Sequence, residues 1–331
     1  MKRIRKLNKK QWIALAVVIC CVIFVAGYFG YREYARGENS IHSNGNIQEI
    51  DSENTVTYDG KKYTYNEDLK AILFLGVDKR EEVQVQTFTG RGGQSDCILL
   101  LVMNRKEKTT TLLQVSRDSM VDLKIYDSAG ELLTTERGQL ALQYAYGDGE
   151  KKSCRLTRDA VSDLLFGIPI DGYISMNIDG ITAIVEALGG VDITFEEDYT
   201  ELDPGWTKGA AVTLNGAQAE RFVRYRDTKV MGSNNLRMER QIWFLRALFS
   251  QVKEKASKDS SLYDTLLGAV SPYMVSDLTA EKMKALSYYQ MEEEIEKVPG
   301  EVQAGEKHDE YIVDDEKLFE LLIKVFYKLK K

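Results

Sequence analysis

The pattern of hydrophobic and polar positions first singles out an apolar segment near the N-terminus. Residues 12–31 (WIALAVVICCVIFVAGYFGY) contain no charged side chain, and residues 1–11 carry six basic and no acidic side chains. About 20 apolar residues in an α-helix cross a hydrocarbon core of about 30 Å, and a preceding basic flank keeps the N-terminus in the cytoplasm. The pattern therefore predicts a cytoplasmic tail over 1–11 and one transmembrane helix over 12–31, with the bulk of the chain outside the plasma membrane.

A cleaved signal peptide is the alternative interpretation of this segment. Its apolar region would be about 7–15 residues long and would end in a small-x-small cleavage site. The run here is longer, and the bulky Ile19 before Cys20 does not fit lipoprotein processing. An uncleaved anchor is therefore favoured.

Polar residues dominate the segment that follows. Residues 37–60 are rich in Gly, Asn and Ser and show no periodicity, which is typical of a flexible linker. We therefore expect an extracellular stalk over 32–68 and a folded domain that begins at residue 69.

Short apolar runs and amphipathic segments alternate over residues 69–256. Apolar runs at 71–77, 97–104 and 109–116 predict three strands, and the last two form a hairpin around a charged turn. Further strands are predicted at 173–178 and 191–195, and helices at 153–166, 181–188, 215–224 and 234–256. The alternation predicts an α/β domain, and long apolar strands such as Ile98–Val102 indicate a sheet covered on both faces.

Residues 257–331 show a helical, loop-rich pattern. It ends in an amphipathic helix at 315–329, whose apolar stripe includes Leu318, Leu322 and Phe326. The segment is predicted to be a helical extension that packs on the domain.

Composition argues against several classes of site. The chain contains two histidines and four cysteines, with no CxxC or HExxH motif. This composition disfavours a zinc site built from His and Cys ligands, and also a Ser-His-Asp or Cys-His mechanism. Cys97 and Cys154 lie outside the apolar segment, so a single disulfide between them stays open.

The charge distribution points to an anionic ligand. The formal net charge is −7, yet residues 221–246 hold seven basic and two acidic side chains. Duplex nucleic acid needs a broad basic surface and would be repelled by the acidic remainder of the domain. We therefore expect no nucleic-acid partner and a smaller anion at the basic segment.

Charged side chains flank the three predicted strands. Asp78 follows the first strand, Asp96 precedes the second and Arg117 follows the third. In a hairpin the end of one strand lies beside the start of the other, so a first strand parallel to the third would gather all three at one end of the sheet. Two carboxylates with phosphate oxygens suit Mg²⁺. The alternative is that Asp78 and Asp96 cap turns and that Arg117 forms a surface ion pair with Asp118.

A helix face in the basic segment indicates phosphate binding. Arg237, Arg240, Gln241 and Phe244 recur at i, i+3, i+4 and i+7, which places them on one face. Guanidinium groups bind phosphate bidentately, which lysine cannot do. A solvated, ion-paired helix face is the alternative interpretation.

Seven blocks of sequence occur in an order that resembles the LytR-CpsA-Psr (LCP) family. The resemblance covers about residues 69–250. Its blocks are ILFLGVDKR (72–80), GQSDCILLLVMN (93–104), VSRDSMVDL (115–123), LALQYAYGDG (140–149), FGIPIDGYISMNIDGITAIVEALGGVDI (166–193), LNGAQAERFVRYRD (214–227) and SNNLRMERQIWFL (233–245).

The resemblance implies a catalytic domain of α-β-α layers over residues 69–256, with a central mixed sheet covered by helices. It implies a phosphotransferase that moves a glycopolymer from an undecaprenyl-pyrophosphate carrier to a peptidoglycan hydroxyl. The polyprenyl tail would lie in an apolar groove between sheet and helices. Mg²⁺, with Mn²⁺ as a substitute, would be held by Asp78 and Asp96.

Catalytic and binding roles carry over residue by residue from the resemblance. Arg117 is expected to neutralise charge on the diphosphate, and our hypothesis of mechanism adds that Asp78 or Asp118 takes the acceptor proton. The expected pyrophosphate-binding residues are Arg80, Arg117, Arg224, Arg226, Arg237, Arg240 and Gln241.

Two positions depart from the family pattern. Gln94 stands where many members have Arg, so one phosphate contact is missing or comes from Arg91. Met231 stands where many members have an acidic residue. Two alternative functions stay open: a lipid-pyrophosphate hydrolase, which the same residues would serve, and a non-catalytic polyprenyl-phosphate-binding regulator, which the missing carboxylate at Met231 favours.

Overall fold

A computed structural model describes residues 48–51, 55–87, 90–127, 130–227, 230–306 and 308–330. The chain divides into two compact units, residues 1–48 and 49–331, and nearly all described residues belong to the second. The tail predicted over 1–11 and the span predicted over 12–31 lie outside the described residues. None of the helices in the described part is long and apolar enough to cross a membrane.

Strands and helices alternate through most of the second unit. The strands are β1 (Gln48–Asp51), β2 (Thr55–Tyr58), β3 (Lys61–Tyr65), β4 (Leu69–Val77), β5 (Ser95–Asn104), β6 (Thr109–Val115), β7 (Met120–Tyr126), β8 (Leu132–Gln139), β9 (Gly172–Asn177), β10 (Val191–Thr194), β11 (Ala211–Leu214), β12 (Met274–Ser276), β13 (Gln290–Lys297), β14 (Gly300–Ala304), β15 (Asp309–Val313) and β16 (Tyr327–Leu329). The α-helices are α1 (Lys151–Leu164), α2 (Ile178–Leu188), α3 (Gly216–Arg224), α4 (Ser233–Lys258), α5 (Leu262–Val270), α6 (Ala280–Leu286) and α7 (Asp315–Phe326), and 3₁₀ helices lie at Leu140–Tyr146 and Ser271–Tyr273.

A six-stranded mixed sheet with the order β12-β9-β4-β5-β6-β13 forms the centre of the domain. β5 is antiparallel to both β4 and β6, so β4 and β6 run in the same direction. β9 is parallel to β4, and β13 is parallel to β6. The predicted hairpin and the predicted mixed sheet are confirmed.

Helices cover both faces of this sheet because its central strands are apolar on both sides. On one face, Leu73 packs with Val161 of α1 and with α7 around Leu322. On the other face, Leu99 packs against Ile242 of α4. Full burial of such a side chain contributes about 1.5–3 kcal/mol, so these layers hold the sheet and α4 together.

An aromatic cluster fixes α3 beside α4. The ring centroid of Phe195 lies 5.3 Å from Trp206, 5.6 Å from Phe222 of α3 and 5.9 Å from Trp243 of α4. Pairs in this range contribute about 0.5–1.5 kcal/mol each beyond their buried area. The cluster therefore sets the positions of α3 and α4, and with them the position of the basic segment 221–246.

The folded domain begins earlier than the predicted boundary at residue 69. β2 and β3, which lie in the segment predicted to be a stalk, pair with each other, and β3 pairs with β16. The turn residues Asp59 and Gly60 both have positive φ, 48° and 69°, as a type I′ turn requires. The apolar Val56 is buried, so this hairpin belongs to the folded body.

The C-terminal segment differs from the predicted helical extension. It contains α5, α6 and α7, but it also supplies β12 and β13 to the two edges of the central sheet, as well as β14, β15 and β16. The highly charged β13 (QMEEEIEK) lacks an apolar alternation because an edge strand pairs through its backbone and exposes its side chains. The predicted C-terminal amphipathic helix is present as α7, with Leu318, Leu322 and Phe326 buried, but it ends at Phe326 because residues 327–329 form β16 and pair with β3.

Candidate active site

The ends of the central strands bring two carboxylates and an arginine to one edge of the sheet. Arg117, just after β6, donates from Nη1 to Asp96 Oδ1 and from Nη2 to Gln94 Oε1 at 2.7 Å. The backbone N–H of Gln94 donates to Asp78 Oδ1 at 2.5 Å. Asp78, Asp96 and Arg117 therefore lie together at one end of the sheet, as the strand pattern predicts.

The first turns of α4 add a second arginine to this group. Arg237 donates from Nη1 to Asp96 Oδ2 at 3.2 Å and from Nη2 to Asn234 Oδ1 at 2.8 Å. Burial lowers the pKa of the Arg237 guanidinium, and the neighbouring Asp96 opposes this shift. The side chain stays charged, since arginine is effectively always protonated in proteins. Asp96 thus joins two guanidinium groups, one through each oxygen.

Asp118 is a buried anchor rather than an exposed carboxylate. Its Oδ1 accepts from Gln139 Nε2 at 2.9 Å, and its Oδ2 accepts from Asn234 Nδ2 at 2.8 Å. Arg117 Nε lies 3.3 Å from Oδ1. Burial raises the pKa of Asp118, against the opposing effect of Arg117. The predicted ion pair with Arg117 is present, but it is buried and not on the surface.

Arg226 lies beside this anchor and is paired with a carboxylate from the C-terminal segment. Its Nε donates to Ser233 Oγ at 3.1 Å. Its Nη2 lies 3.5 Å from Oδ2 of Asp309, the first residue of β15. Arg226 therefore lies at the same edge of the domain as Asp118. Asn234 contacts both Asp118 and Arg237 and so connects this edge to the sheet-edge group.

A second charged group surrounds Glu220 of α3. Arg224 Nη1 donates to Glu220 Oε1 at 2.9 Å. Arg80 donates to the same carboxylate and, at 2.8 Å, to Asp179 Oδ1. The Arg80 and Arg224 side chains are 54% and 47% exposed, so both can exchange these partners for a ligand.

Arg240 is not part of either group. Its Nε donates to the Phe222 carbonyl at 3.2 Å, its Nη2 donates to the Tyr225 carbonyl, and its guanidinium lies over the rings of Tyr199 and Tyr225. Through these contacts Arg240 stabilises the C-terminal end of α3. Arg237 and Arg240 project in different directions although they share the predicted helix face.

An apolar cavity of about 100 Å³ opens at the charged groups, between the sheet, α2 and α4. Its apolar lining includes Phe74, Leu99, Ile184 and Phe244. Its polar lining consists of Asp78, Asp96, Arg224, Arg237 and Gln241. An apolar cavity with charged side chains in its wall therefore lies between the sheet and the helices.

A second cavity of about 280 Å³ lies under the same helix. Cys97 and Leu99 of β5 line the first cavity, and Leu101 and Met103 line the second. Residues two apart on a strand share one face, so both cavities lie on the same side of the sheet. The second cavity lies further from the strand end that carries Asp96.

The residues at the sheet edge suit a magnesium ion. Asp78 and Asp96 line the same cavity, and Mg²⁺ typically takes one or two protein carboxylates and completes its shell with waters and phosphate oxygens. Among the described residues, no group of three or more His, Cys, Asp or Glu side chains could hold a metal by itself. The donor set therefore fits a metal that depends on its substrate for ligands.

Comparison with known proteins decides the family. The family model described as "LytR_cpsA_psr family" matches residues 32–325. This chain belongs to that family. The LCP resemblance drawn from seven sequence blocks is thus confirmed.

Relatives of this LCP protein include named transferases. A polyisoprenyl-teichoic acid–peptidoglycan teichoic acid transferase TagU of Enterococcus faecalis is 28% identical over 67% of this chain and 66% of its own length, just under two thirds. The transferase TagV of Bacillus subtilis is 26% identical over 86% of this chain and 71% of its own length. The crystal structure of B. subtilis TagV superposes with a TM-score of 0.60 at 22% identity, over 78% of this chain and 97% of that one, which shows that the fold is shared.

The two departures from the LCP pattern have structural counterparts. Gln94 accepts a hydrogen bond from Arg117 and so orients a guanidinium. Met231 is 61% exposed, while the carboxylate of Asp309 accepts a hydrogen bond from the next residue, Gly232.

Asp309, Asn234, Gln139 and Glu220 were not predicted as site residues. No local pattern marks the first three, since their contacts cross from 21 to 116 positions of the chain, whereas Glu220 stands four residues before Arg224 on α3 and could have been found by its spacing.

The two cysteines outside the apolar segment are free. Cys97 lines the first cavity, whereas Cys154 lies in the core on the opposite side of the sheet. Burial raises the pKa of Cys97 to about 12 and that of Cys154 to about 11. The disulfide that the sequence left open is therefore absent.

Proposed function

We propose that this LCP protein is a membrane-anchored, extracytoplasmic phosphotransferase that moves a glycopolymer from a polyprenyl-pyrophosphate carrier to peptidoglycan. One observation carries the proposal: a single cavity joins an apolar interior to a wall that bears Asp78, Asp96, Arg224 and Arg237. Such a cavity suits an amphiphile with a diphosphate head and an isoprenoid tail. The names of the relatives, which are polyisoprenyl-linked teichoic acid transferases, support the same substrate class.

The reaction would be a transfer at phosphorus. The oxygen of a peptidoglycan hydroxyl attacks the phosphorus that carries the glycopolymer and forms a new P–O bond. The bridging P–O bond to the lipid phosphate breaks, and polyprenyl phosphate leaves with the bonding electrons. The hydroxyl proton passes to Asp78, which is exposed, and then to water, because Asp118 already accepts bonds from Gln139 and Asn234.

Arginines would stabilise the charge that develops on the phosphate oxygens. Arg117 and Arg237 are held in place by Asp96, so their remaining donors are fixed before the substrate arrives. Arg224 and Arg80 would bind the second phosphate after leaving Glu220. Each charge-assisted hydrogen bond contributes about 1.5–3 kcal/mol, so two or three of them hold a diphosphate firmly.

Asp78 and Asp96 are the residues that would hold Mg²⁺, with Mn²⁺ as a substitute. When bound, the ion supplies positive charge that neutralises the diphosphate and favours departure of the lipid phosphate. Chelation of divalent cations is therefore expected to stop transfer, and added Mg²⁺ or Mn²⁺ to restore it.

The apolar segment 12–31 would confine the enzyme to the plane of its lipid substrate. With residues 1–11 in the cytoplasm, the domain would face the outer leaflet of the plasma membrane, where the wall is assembled. The tail of the carrier would then enter the first cavity and extend under α4 towards the second.

The test is transfer by the full-length protein in detergent micelles. The substrates are a polyprenyl-pyrophosphate-linked glycan and peptidoglycan strands, and mass spectrometry measures the joined product and the released polyprenyl phosphate. Arg237→Gln is expected to lower the rate of transfer about 100-fold or more, because the loss of one fixed hydrogen-bond donor to a transition state typically has an effect of this size. Arg137→Gln, a matched change in an exposed ion pair with Asp122, is expected to leave transfer unchanged.

Two other outcomes would overturn this proposal. Release of glycan phosphate regardless of acceptor would identify a lipid-pyrophosphate hydrolase. Tight binding of the lipid with neither product would identify a non-catalytic binding protein.

A further inference from the structure

The hairpin of β14 and β15 places a carboxylate beside Arg226, which the family resemblance expects to bind pyrophosphate. Asp309 Oδ2 lies 3.5 Å from Arg226 Nη2 and accepts a hydrogen bond from the Gly232 backbone N–H at 3.1 Å. The Arg226 and Asp309 side chains are only 24% and 22% exposed. Partial burial reduces screening by solvent, so this contact is stronger than a typical exposed ion pair.

Backbone contacts hold the hairpin against the strand end that carries Asp118. The backbone N–H of Tyr311 donates to the Asp118 carbonyl at 2.9 Å, and Ser119 and Tyr311 form a parallel bridge. Gln139 Nε2 donates both to the Asp309 carbonyl and to Asp118 Oδ1, each at 2.9 Å. Asp309 is therefore fixed through its main chain as well as through its carboxylate.

Arg226 depends on such contacts because it lies in the connection between α3 and α4. Its guanidinium has two fixed points, the Nε–Ser233 hydrogen bond and the Nη2–Asp309 contact. Two fixed points define the orientation of a planar group. A guanidinium has five donors, so donors remain for a phosphate after both contacts are made.

We propose that Asp309 is a positioning residue of the diphosphate site and acts through Arg226. The inference rests on the proposed function, and it makes the C-terminal hairpin a part of the site rather than an appendage. The sign of the effect of Asp309 on diphosphate affinity can be tested, because a negative charge near a diphosphate should weaken binding by simple repulsion. Removing that charge should tighten binding if repulsion dominates and weaken it if orientation of Arg226 dominates.

The experiment measures steady-state transfer by the full-length protein and, separately, the Kd for undecaprenyl pyrophosphate in detergent micelles. Asp309→Asn keeps an oxygen for the Gly232 N–H and removes only the charge. It is expected to raise KM and Kd about tenfold, as the loss of one charge-assisted contact would, and to change kcat less than about twofold. Asp309→Glu is expected to recover most of the affinity, and Glu310→Gln, the neighbouring carboxylate of β15, to change nothing.

A double-mutant cycle separates positioning from general damage to the fold. In an Arg226→Gln background, Asp309→Asn is expected to add no further loss, because its effect passes through Arg226. Additive losses, or unchanged or tighter binding in Asp309→Asn, would overturn the inference while leaving the proposed function intact. If the wild-type protein neither transfers the glycan nor binds undecaprenyl pyrophosphate, the proposed function fails and this inference fails with it.

Discussion

Arg237 and Arg240 show how residues of one type on one helix can have different tasks. Positions three apart are separated by about 60° around a helix, so an i, i+3 pair lies at the edges of a face and can point to different neighbours. Arg237 reaches Asp96 at the sheet edge, whereas Arg240 reaches two carbonyls at the end of α3. The predicted phosphate-binding face therefore divides into one side chain at the site and one that supports it.

Arg240→Gln is expected to lower stability more than substrate binding. The change removes hydrogen bonds to the Phe222 and Tyr225 carbonyls and a stacked contact with two tyrosine rings. The loss should reduce the free energy of unfolding by about 2–4 kcal/mol, as measured by urea denaturation. KM for the lipid substrate should change less than about twofold below the unfolding transition. A loss of transfer comparable with that of Arg237→Gln would place Arg240 in the diphosphate site after all.

The cysteine beside the cavity provides a pH test of burial. Because burial raises the pKa of Cys97 to about 12, the neutral thiol predominates at physiological pH, and only the thiolate reacts with alkylating agents. Alkylation of Cys97 by iodoacetamide in the folded protein should therefore rise about tenfold for each pH unit between pH 7 and pH 10, as the thiolate fraction does. Peptide mass mapping separates Cys97 from the other cysteines. Fast modification at pH 7 would show that the thiol is not in the predicted environment.

At the scale of elements, the central strands were predictable and the edge strands were not. β5 and β6 carry apolar or β-branched runs and flank a charged turn, so their pairing could be inferred from the sequence. β13 carries five charged side chains among eight residues (QMEEEIEK), and its pairing with β6 depends on backbone hydrogen bonds that no side-chain pattern records. β2 and β3 could have been found, since Asp59-Gly60 between alternating residues is a strong hairpin signal.

The site follows the same division. Asp78, Asp96 and Arg117 could be placed together because each stands at the end of a predictable strand. Asp309 could not, because the hairpin that carries it joins the site through tertiary contacts with residues far away in sequence, such as Asp118, Ser119 and Gly232. Side chains delivered by edge elements are thus the part of a site that local patterns miss.

The cavity between β4, β5, α2 and α4 predicts how substrate length affects binding. Ile184 of α2 lines this cavity, and tryptophan at this position would fill much of its volume of about 100 Å³. Ile184→Trp is expected to raise KM about tenfold for a long-chain polyprenyl substrate, through loss of apolar burial worth about 1.4 kcal/mol. A soluble short-chain analogue should be affected much less.

Leu133→Trp is the matched control for this change, because Leu133 is 65% exposed on β8. It should leave both substrates unaffected. Equal effects of Ile184→Trp on the long and the short substrate would argue against a tail in the cavity.

At the scale of the whole molecule, the C-terminal segment closes the domain at several places. It supplies both edges of the central sheet, a fourth strand to the sheet of β1, β2 and β3, and the helix α7 on one face. The strand β16 pairs with β3, so residues near the two ends of the described chain stabilise each other. The segment that the sequence pattern assigned to an extension is therefore integral to the fold.

Because the C-terminal segment is integral to the fold, truncation of a single core side chain near the end of the chain is expected to lower the free energy of unfolding strongly. Phe326 of α7 is 0% exposed in the main core, and its ring stacks on Tyr65 of β3 with centroids 6.5 Å apart. Phe326→Ala leaves a cavity between α7 and the sheet, and such changes typically cost about 3–5 kcal/mol. Urea denaturation should show this loss in one cooperative transition, because the sheet, α7 and the hairpin of β2 and β3 share one core.

Leu329→Ala, three residues later, separates core packing from mere closeness to the C-terminus. Leu329 is 56% exposed on β16, so its truncation should change the free energy of unfolding by no more than about 0.5 kcal/mol. If Phe326→Ala were equally mild, the C-terminal segment would be a peripheral attachment, and the carboxylate of Asp309 would lose the rigid support on which its proposed role depends. If the two variants differ as expected, the same packing that stabilises the domain also delivers Asp309 to Arg226.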